Sequence, residues 1–280
     1  MKSILIAALC SLGMLHAEEA PPENYQKDNS SVLFIGNSYT YVNDLPKVFD
    51  ALCKAGRQKV GVDSFTEGSC ALVDFYELPQ FEPAKKKVAT GGFTYVVLQD
   101  QSLVPSLRPD WTLAYTAKWK ELVAAANATP VYFMTWARCI NGTNRPDMAA
   151  QDKTTAIYCQ AALRDGVTLV PCGEVWREWN RLYPGTTLYE RDGSHPNPVG
   201  VYLNACTFYK VLLKKSPVGL PAKYPMTGPA IVDIKPQLAR QCQQLVDKVV
   251  DSFNPQAFLD AHQDLKAEDS VPLNRPIGKW

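Results

Sequence analysis

From residue 31 onward, short apolar runs alternate with longer segments whose apolar residues recur every three or four positions. Val32-Leu33-Phe34-Ile35 is apolar at every position, the pattern of a strand covered on both faces. Leu45, Val48, Phe49 and Leu52 fall at helical spacing and predict a helix over 45–55. Lys59–Phe65 reads as a second strand, leading into Thr66-Glu67-Gly68-Ser69. A lysine-rich polar helix is predicted over 82–90, ended by Gly91-Gly92. Thr94–Leu98 and Val131–Thr135 read as strands, with a helix at about 110–127 between them. A helix at about 147–164 closes near Asp165-Gly166 and precedes a strand at 167–170. Apolar and amphipathic helices follow at 199–213 and 236–253, and residues 254–280 show no clear period.

Strands that alternate with helices predict a parallel sheet with helices on both faces. The expected fold class is α/β: a three-layer α/β/α sandwich around a central, mostly parallel five-stranded sheet. Ligands of such sheets bind beyond the carboxyl ends of the strands. The sequence predicts one domain over 31–253, with a tail over 254–280.

Ahead of the first strand the pattern changes. Lys2 precedes a mostly apolar run from Ile4 to Leu15, and Leu15-His16-Ala17 ends on a small residue. That run is too short to span a bilayer and reads as a signal peptide over 1–17, cleaved near Ala17, with a loose leader over 18–30. The expected location is secreted or periplasmic, without membrane insertion after processing. The 280 residues carry a formal net charge of +1, which gives no electrostatic reason to expect a nucleic-acid partner. Seven of the eight cysteines lie beyond the signal peptide, and export predicts that some of them pair.

The first strand runs straight into Gly36-Asn37-Ser38. A serine at the carboxyl end of a buried strand is placed to act as a nucleophile, provided a base removes its proton. The chain has three histidines. His16 falls in the signal peptide and His262 in the tail, which leaves His195, in the turn-rich Asp192-Gly193-Ser194-His195-Pro196. Three residues separate Asp192 from His195, a spacing that lets a carboxylate hold the imidazole N–H in a tight turn. The plainer reading is an Asp-Gly turn beside a surface histidine. Arg138, at the end of a strand, and Asn37 and Tyr39, flanking Ser38, are expected to line the substrate cleft. Trp136, Trp176 and Trp179 serve either as core or as platforms for a sugar ring.

The blocks GNSYT (36–40) and DGSHP (192–196) resemble the first and last motifs of the SGNH hydrolases, the GDSL-like esterase superfamily. The further run VVLQDQS (96–102), Thr135-Trp136-Ala137, Leu188-Tyr189 and an apolar Tyr202-Leu203-Asn204-Ala205 helix is similar to a bacterial branch of it. The resemblance covers about residues 31–214. It implies the flavodoxin-like fold of that superfamily, with Ser38 as nucleophile, His195 as base and Asp192 as its orienting acid. It also implies an oxyanion hole formed by the Ser38 N–H, Gly68 and an amide after the third strand. The superfamily places asparagine there, and this chain has Gln101, with Gln99 as the alternative.

The resemblance implies ester hydrolysis without metal or cofactor. Export without a large apolar lid, together with the habit of the superfamily, favours removal of acyl groups, O-acetyl above all, from an external carbohydrate. The alternatives are a lipase-, lysophospholipase- or aryl-esterase-like activity, and a glycan-binding protein without catalysis. The oligomeric state is left open by the sequence.

Overall fold

The computed structural model describes residues 30–141, 143–224, 231–265 and 267. The expected signal peptide, the leader up to residue 29 and the end of the tail lie outside the described residues.

The chain opens with β1 (Ser30–Gly36), a short α1 (Ser38–Tyr41), α2 (Leu45–Ala55) and β2 (Val60–Thr66). Next come α3 (Leu72–Glu77), α4 (Glu82–Thr90), β3 (Tyr95–Leu98), α5 (Val104–Leu107), α6 (Pro109–Ala125) and β4 (Thr129–Phe133). Then follow α7 (Met148–Asp165), β5 (Thr168–Val170), α8 (Cys172–Leu182) and α9 (Pro198–Leu213). A two-stranded antiparallel pair, β6 (Lys223–Tyr224) and β7 (Val232–Asp233), precedes α10 (Pro236–Ser252) and α11 (Pro255–Ala261).

Strands one to five form one sheet in the order β2-β1-β3-β4-β5, and every neighbouring pair is parallel. Because side chains alternate across a strand, β1 feeds two cores. Val32 and Phe34 pack with Val97, Val131 and Phe133 against α2, α8, α9 and α10. Leu33 and Ile35 pack with Val96, Leu98 and Tyr132 against α3, α4, α6 and α7. This is the expected three-layer α/β/α sandwich, and β1 lies inside it with a neighbour on each edge.

Local chemistry sets the helix starts. Asp44, Asp147 and Asn197 cap α2, α7 and α9 by accepting from backbone N–H groups of the first turn. Gly166, at φ +64°, ends α7 in the left-handed conformation that glycine adopts without strain.

Several elements depart from the sequence expectations. The sequence shows no period for α3, and α8 buries Cys172, Val175, Trp176 and Trp179, a helical stripe missed among the prolines and glycines around it. α11 occupies the tail predicted to lack a period, and Leu259 seats it in the core beside α7. The pair β6–β7 is too short to carry a period of its own. The expectation of paired cysteines is also overturned. Cys53, Cys70, Cys139, Cys159, Cys172, Cys206 and Cys242 are all free thiols, and only Cys70 and Cys139 are even partly exposed.

Candidate active site

The sheet order places three loops side by side at one rim. The turn after β1 lies between the loop after β2 and the loop after β3.

The turn after β1 is built by its neighbours. Gly36 leaves no room for a side chain: a Cβ there would stand 2.4 Å from Gln99 Oε1 and 2.6 Å from Thr40 Oγ1. Into that space Gln99 inserts its amide. Its Oε1 accepts from the Asn37 N–H (2.8 Å) and Thr40 Oγ1 (3.0 Å), while its Nε2 donates to Asn37 Oδ1 (3.0 Å). Asn37 in turn caps α1 through the Tyr39 N–H (3.0 Å) and donates to the Cys70 carbonyl (2.8 Å). These bonds fix the turn, and Ser38 sits on it half-buried.

The loop between α8 and α9 supplies the ring. Gly193 (φ +66°) turns the chain in a left-handed conformation, and the Glu190 N–H donates back to the His195 carbonyl (2.8 Å). Asp192 Oδ1 accepts from the backbone N–H groups of Ser194 (2.8 Å) and His195 (3.0 Å). Its Oδ2 lies 2.5 Å from His195 Nδ1, and His195 Nε2 lies 2.8 Å from Ser38 Oγ. An ionised Asp192 assigns the Nδ1 position as donor, which leaves Nε2 to accept the serine proton. Burial alone would raise the Asp192 pKa, but the bonds from the His195 ring and the two backbone N–H groups outweigh it and hold the carboxyl below its ordinary value. Three residues from two distant stretches thus converge: a hydroxyl, an imidazole and a carboxylate in line, the arrangement that general-base activation of a serine requires.

The loop is braced from behind. Ser194 Oγ meets the Tyr39 hydroxyl (2.8 Å), and its carbonyl accepts from Trp136 Nε1 (3.0 Å). Tyr39 stacks on Trp136 at 4.5 Å, and Trp136 on Trp176 at 3.9 Å. Asn43 Nδ2 donates to Glu190 Oε1 (2.9 Å) and to the Pro196 carbonyl (2.7 Å), tying the two loops together.

Three N–H donors face no protein acceptor among the described residues: the backbone N–H of Ser38, that of Gly68, and Gln101 Nε2. Gly68 follows β2, and Gln101 follows β3, so they flank the serine turn on either side. Gln101 is held by its other atom, Oε1, which accepts from the Leu103 N–H (2.6 Å). One carboxylate connects these two loops. Asp100 Oδ1 accepts from the Leu72 N–H (3.0 Å) and the Gln101 N–H (2.9 Å), and its Oδ2 from Thr112 Oγ1 (2.7 Å). Burial raises the Asp100 pKa to about 6 against these hydrogen bonds, and the nearby Asp74 charge adds to the rise.

Several expectations are corrected by packing. Gln99 cannot be the oxyanion donor, because both ends of its amide hold the serine turn. Asn37 and Tyr39 do not line a cleft: each is only 2% exposed, the first committed to the turn and the second to the aromatic stack. Trp136, Trp176 and Trp179 take the first of their two expected uses and are core. His262 stacks on Phe258 in the tail and stays out of the site. Glu190, two residues before Asp192, is bound by Asn43. Arg138 does reach the rim, donating through Nε (3.1 Å) and Nη2 (2.7 Å) to Ser102 Oγ. Sequence reasoning passed over Asp100 and Asn43. Asp100 sits between two glutamines that drew attention first, and Asn43 carries no signal except its left-handed backbone (φ 56°).

No family model matches the chain, and none of the curated proteins matches it. Among solved structures, the fold is similar to a protein from Slackia heliotrinireducens assigned to the SGNH hydrolases. That pair has a TM-score of 0.55 at 23% identity over 65% of this chain and 98% of that one. A DUF4886 family protein from Bacteroides uniformis superposes at TM-score 0.64 and 18% identity, over 80% of this chain and 95% of that one. A member of the lipolytic G-D-S-L family from Veillonella parvula superposes at TM-score 0.51 and 14% identity, over 66% and 100%. The chain has the fold of the SGNH hydrolases, the superfamily its motif blocks resemble.

Proposed function

We propose that this protein is a serine esterase that removes acyl groups, most readily acetyl, from carbohydrate outside the cytoplasm. The observation that carries the reading is the line Ser38 Oγ, His195 Nε2, His195 Nδ1, Asp192 Oδ2, with contacts of 2.8 Å and 2.5 Å, beside three N–H donors without a protein acceptor.

Each step follows from these positions. Ser38 Oγ attacks the ester carbonyl while its proton passes to His195 Nε2. The carbonyl oxygen takes the negative charge, and the N–H groups of Ser38 and Gly68 and the Gln101 amide receive it. One such donor is worth about 3 kcal/mol in the transition state. Asp192, ionised, stabilises the imidazolium and fixes the ring. Collapse expels the alcohol, which takes the proton from Nε2, and leaves an acyl group on Ser38. A water then repeats the attack with His195 again as base, releasing the acid and restoring the serine hydroxyl. No step calls on a metal or cofactor.

The carbohydrate and the acetyl group rest on the predicted export and on the habit of the superfamily the motifs resemble. The experiment is acetate release from p-nitrophenyl acetate and from a panel of acetylated glycans, run beside Ser38→Ala. Activity in the wild type with loss in the variant, whose thermal melt stays in place, supports the reading. Wild-type protein inert toward every ester would leave a glycan-binding protein on this scaffold.

One observation favours a longer acyl chain. Tyr41, Leu107 and Ile140 are 45%, 64% and 46% exposed, on segments that follow Ser38, Gln101 and Arg138. Exposed apolar side chains on the segments that lead from a site suit an apolar substrate. A rate that holds from acetyl through octanoyl esters would favour this lipase-like activity; a steep fall after acetyl favours the acetylesterase.

A further inference from the structure

Arg138 is a cation without a counter-charge at the rim of the proposed site. It sits just past the carboxyl end of β4, half-buried, and among the described residues it forms no ion pair. The acids of the adjoining loops are engaged elsewhere: Asp192 holds His195, Glu190 accepts from Asn43, Asp147 caps α7, and Asp100 accepts from Leu72, Gln101 and Thr112. A guanidinium withdrawn from water without a carboxylate is costly unless something else meets its charge.

Its position is fixed. Nε and Nη2 both donate to Ser102 Oγ, which holds the guanidinium plane. Ser102 follows Gln101, the proposed oxyanion donor. The guanidinium also acts on the Tyr39 hydroxyl, on the residue next to Ser38, whose ring lies 5.7 Å from that of His195. Arg138 therefore stands between the loop that bears Gln101 and the one that bears His195, in reach of a substrate held at Ser38. Arg145 and Arg191 are exposed on the same pair of loops, which Cys139 N–H and the Gly193 carbonyl join at 2.7 Å, and they too lack ion pairs among the described residues.

We propose that Arg138 binds an anionic group of the substrate, so that the preferred ester is an acylated acidic sugar whose carboxylate docks on the guanidinium beside the scissile bond. A planar, always-charged fork matches two carboxylate oxygens better than any other side chain. A sulfate ester presents similar oxygens, and the substrates below separate the two. The proposal rests on the esterase reading above.

The test uses three acetylated methyl glycosides with one ring: the glucuronoside, the neutral glucoside and the glucoside 6-sulfate. The wild type should favour the glucuronoside over the glucoside in kcat/KM by about ten- to a hundredfold, the worth of one hydrogen-bonded ion contact. A larger gain for the sulfate would move the ligand to sulfated glycans and overturn the carboxylate. Arg138→Gln should bring the charged-to-neutral ratio to about one, mainly through KM, whatever it does to the neutral rate. Arg138→Lys, which keeps the charge and loses the fork, should retain part of the preference. Equal rates on charged and neutral substrates in the wild type, or an equal fall on both in Arg138→Gln, overturns the proposal while ester hydrolysis stands. Failure of the wild type on all three glycosides overturns it together with the carbohydrate reading.

Discussion

At the scale of single residues, the site works because few polar atoms are left idle. Asp192 divides its two oxygens, one for the backbone of its own turn and one for the His195 ring. Its lowered pKa gives a definite sign. Interactions that depress a carboxyl stabilise the fold at pH above its unfolded value and are lost as pH falls through the folded one. Asp192 thus stays ionised across the neutral and mildly acidic range. Asp192→Asn should lower kcat by about four orders of magnitude with the melt little changed, since the wrong tautomer of His195 is then favoured; a fall below tenfold would remove Asp192 from the triad. Asp100 has the opposite sign. Burial raises its pKa to about 6, so its charged form weakens the fold at neutral pH and its contribution improves as pH falls from 7 toward 4. Relative to Asp100→Asn, the wild type should gain up to about 3 kcal/mol of unfolding free energy over that span. Parallel stability curves for the two proteins would show that the carboxyl is not held as described.

At the scale of elements, the turn after β1 shows how much was legible in the sequence. The strand, the glycine and the serine could be read from Val32–Ser38, because an apolar run ending in Gly-Asn-Ser is informative by itself. The Asp192–His195 pairing was legible for the same reason: both partners lie in one turn. What could not be read was the use of each amide. Gln99 and Gln101 are two residues apart with the same chemistry, and only the space vacated by Gly36 makes the first a brace and leaves the second with a free N–H. Likewise Tyr39 flanks the serine, yet its ring turns into the stack with Trp136, a packing choice that no local pattern reveals. Gly36→Ala tests this brace. The added carbon must displace the Gln99 amide, which should cost about 1–3 kcal/mol of stability and lower kcat more than it changes KM. An unperturbed variant would mean that the turn does not depend on Gln99.

At the scale of the whole molecule, the sheet does the positioning. Parallel pairing of β2, β1 and β3 brings Gly68, Ser38 and Gln101 to one edge, while His195 arrives from the loop before α9. The fold was legible because the alternation of apolar runs and amphipathic stretches persists across the domain. α8 was missed where prolines and glycines crowd a short helix, and α11 because its anchoring rests on Leu259 and on packing against α7. The free thiols bear on stability at this scale. Burial pushes the Cys53 thiol up to about 12 and Cys70 up to about 11, so neither is poised to react at neutral pH. Thiol titration of the native protein should reach at most Cys70 and Cys139, with the five buried thiols appearing only on unfolding, and reductant should leave the melting temperature unchanged. A melt that falls with reductant would point to disulfides that this fold lacks.

The central claim is that the Ser38 hydroxyl is made reactive by His195. A fluorophosphonate, which bonds covalently only to an activated serine, tests it directly. Peptide mapping should find a single adduct on Ser38, and His195→Ala should abolish labelling. An unlabelled wild type, an adduct on another residue, or labelling that survives loss of the imidazole would contradict it.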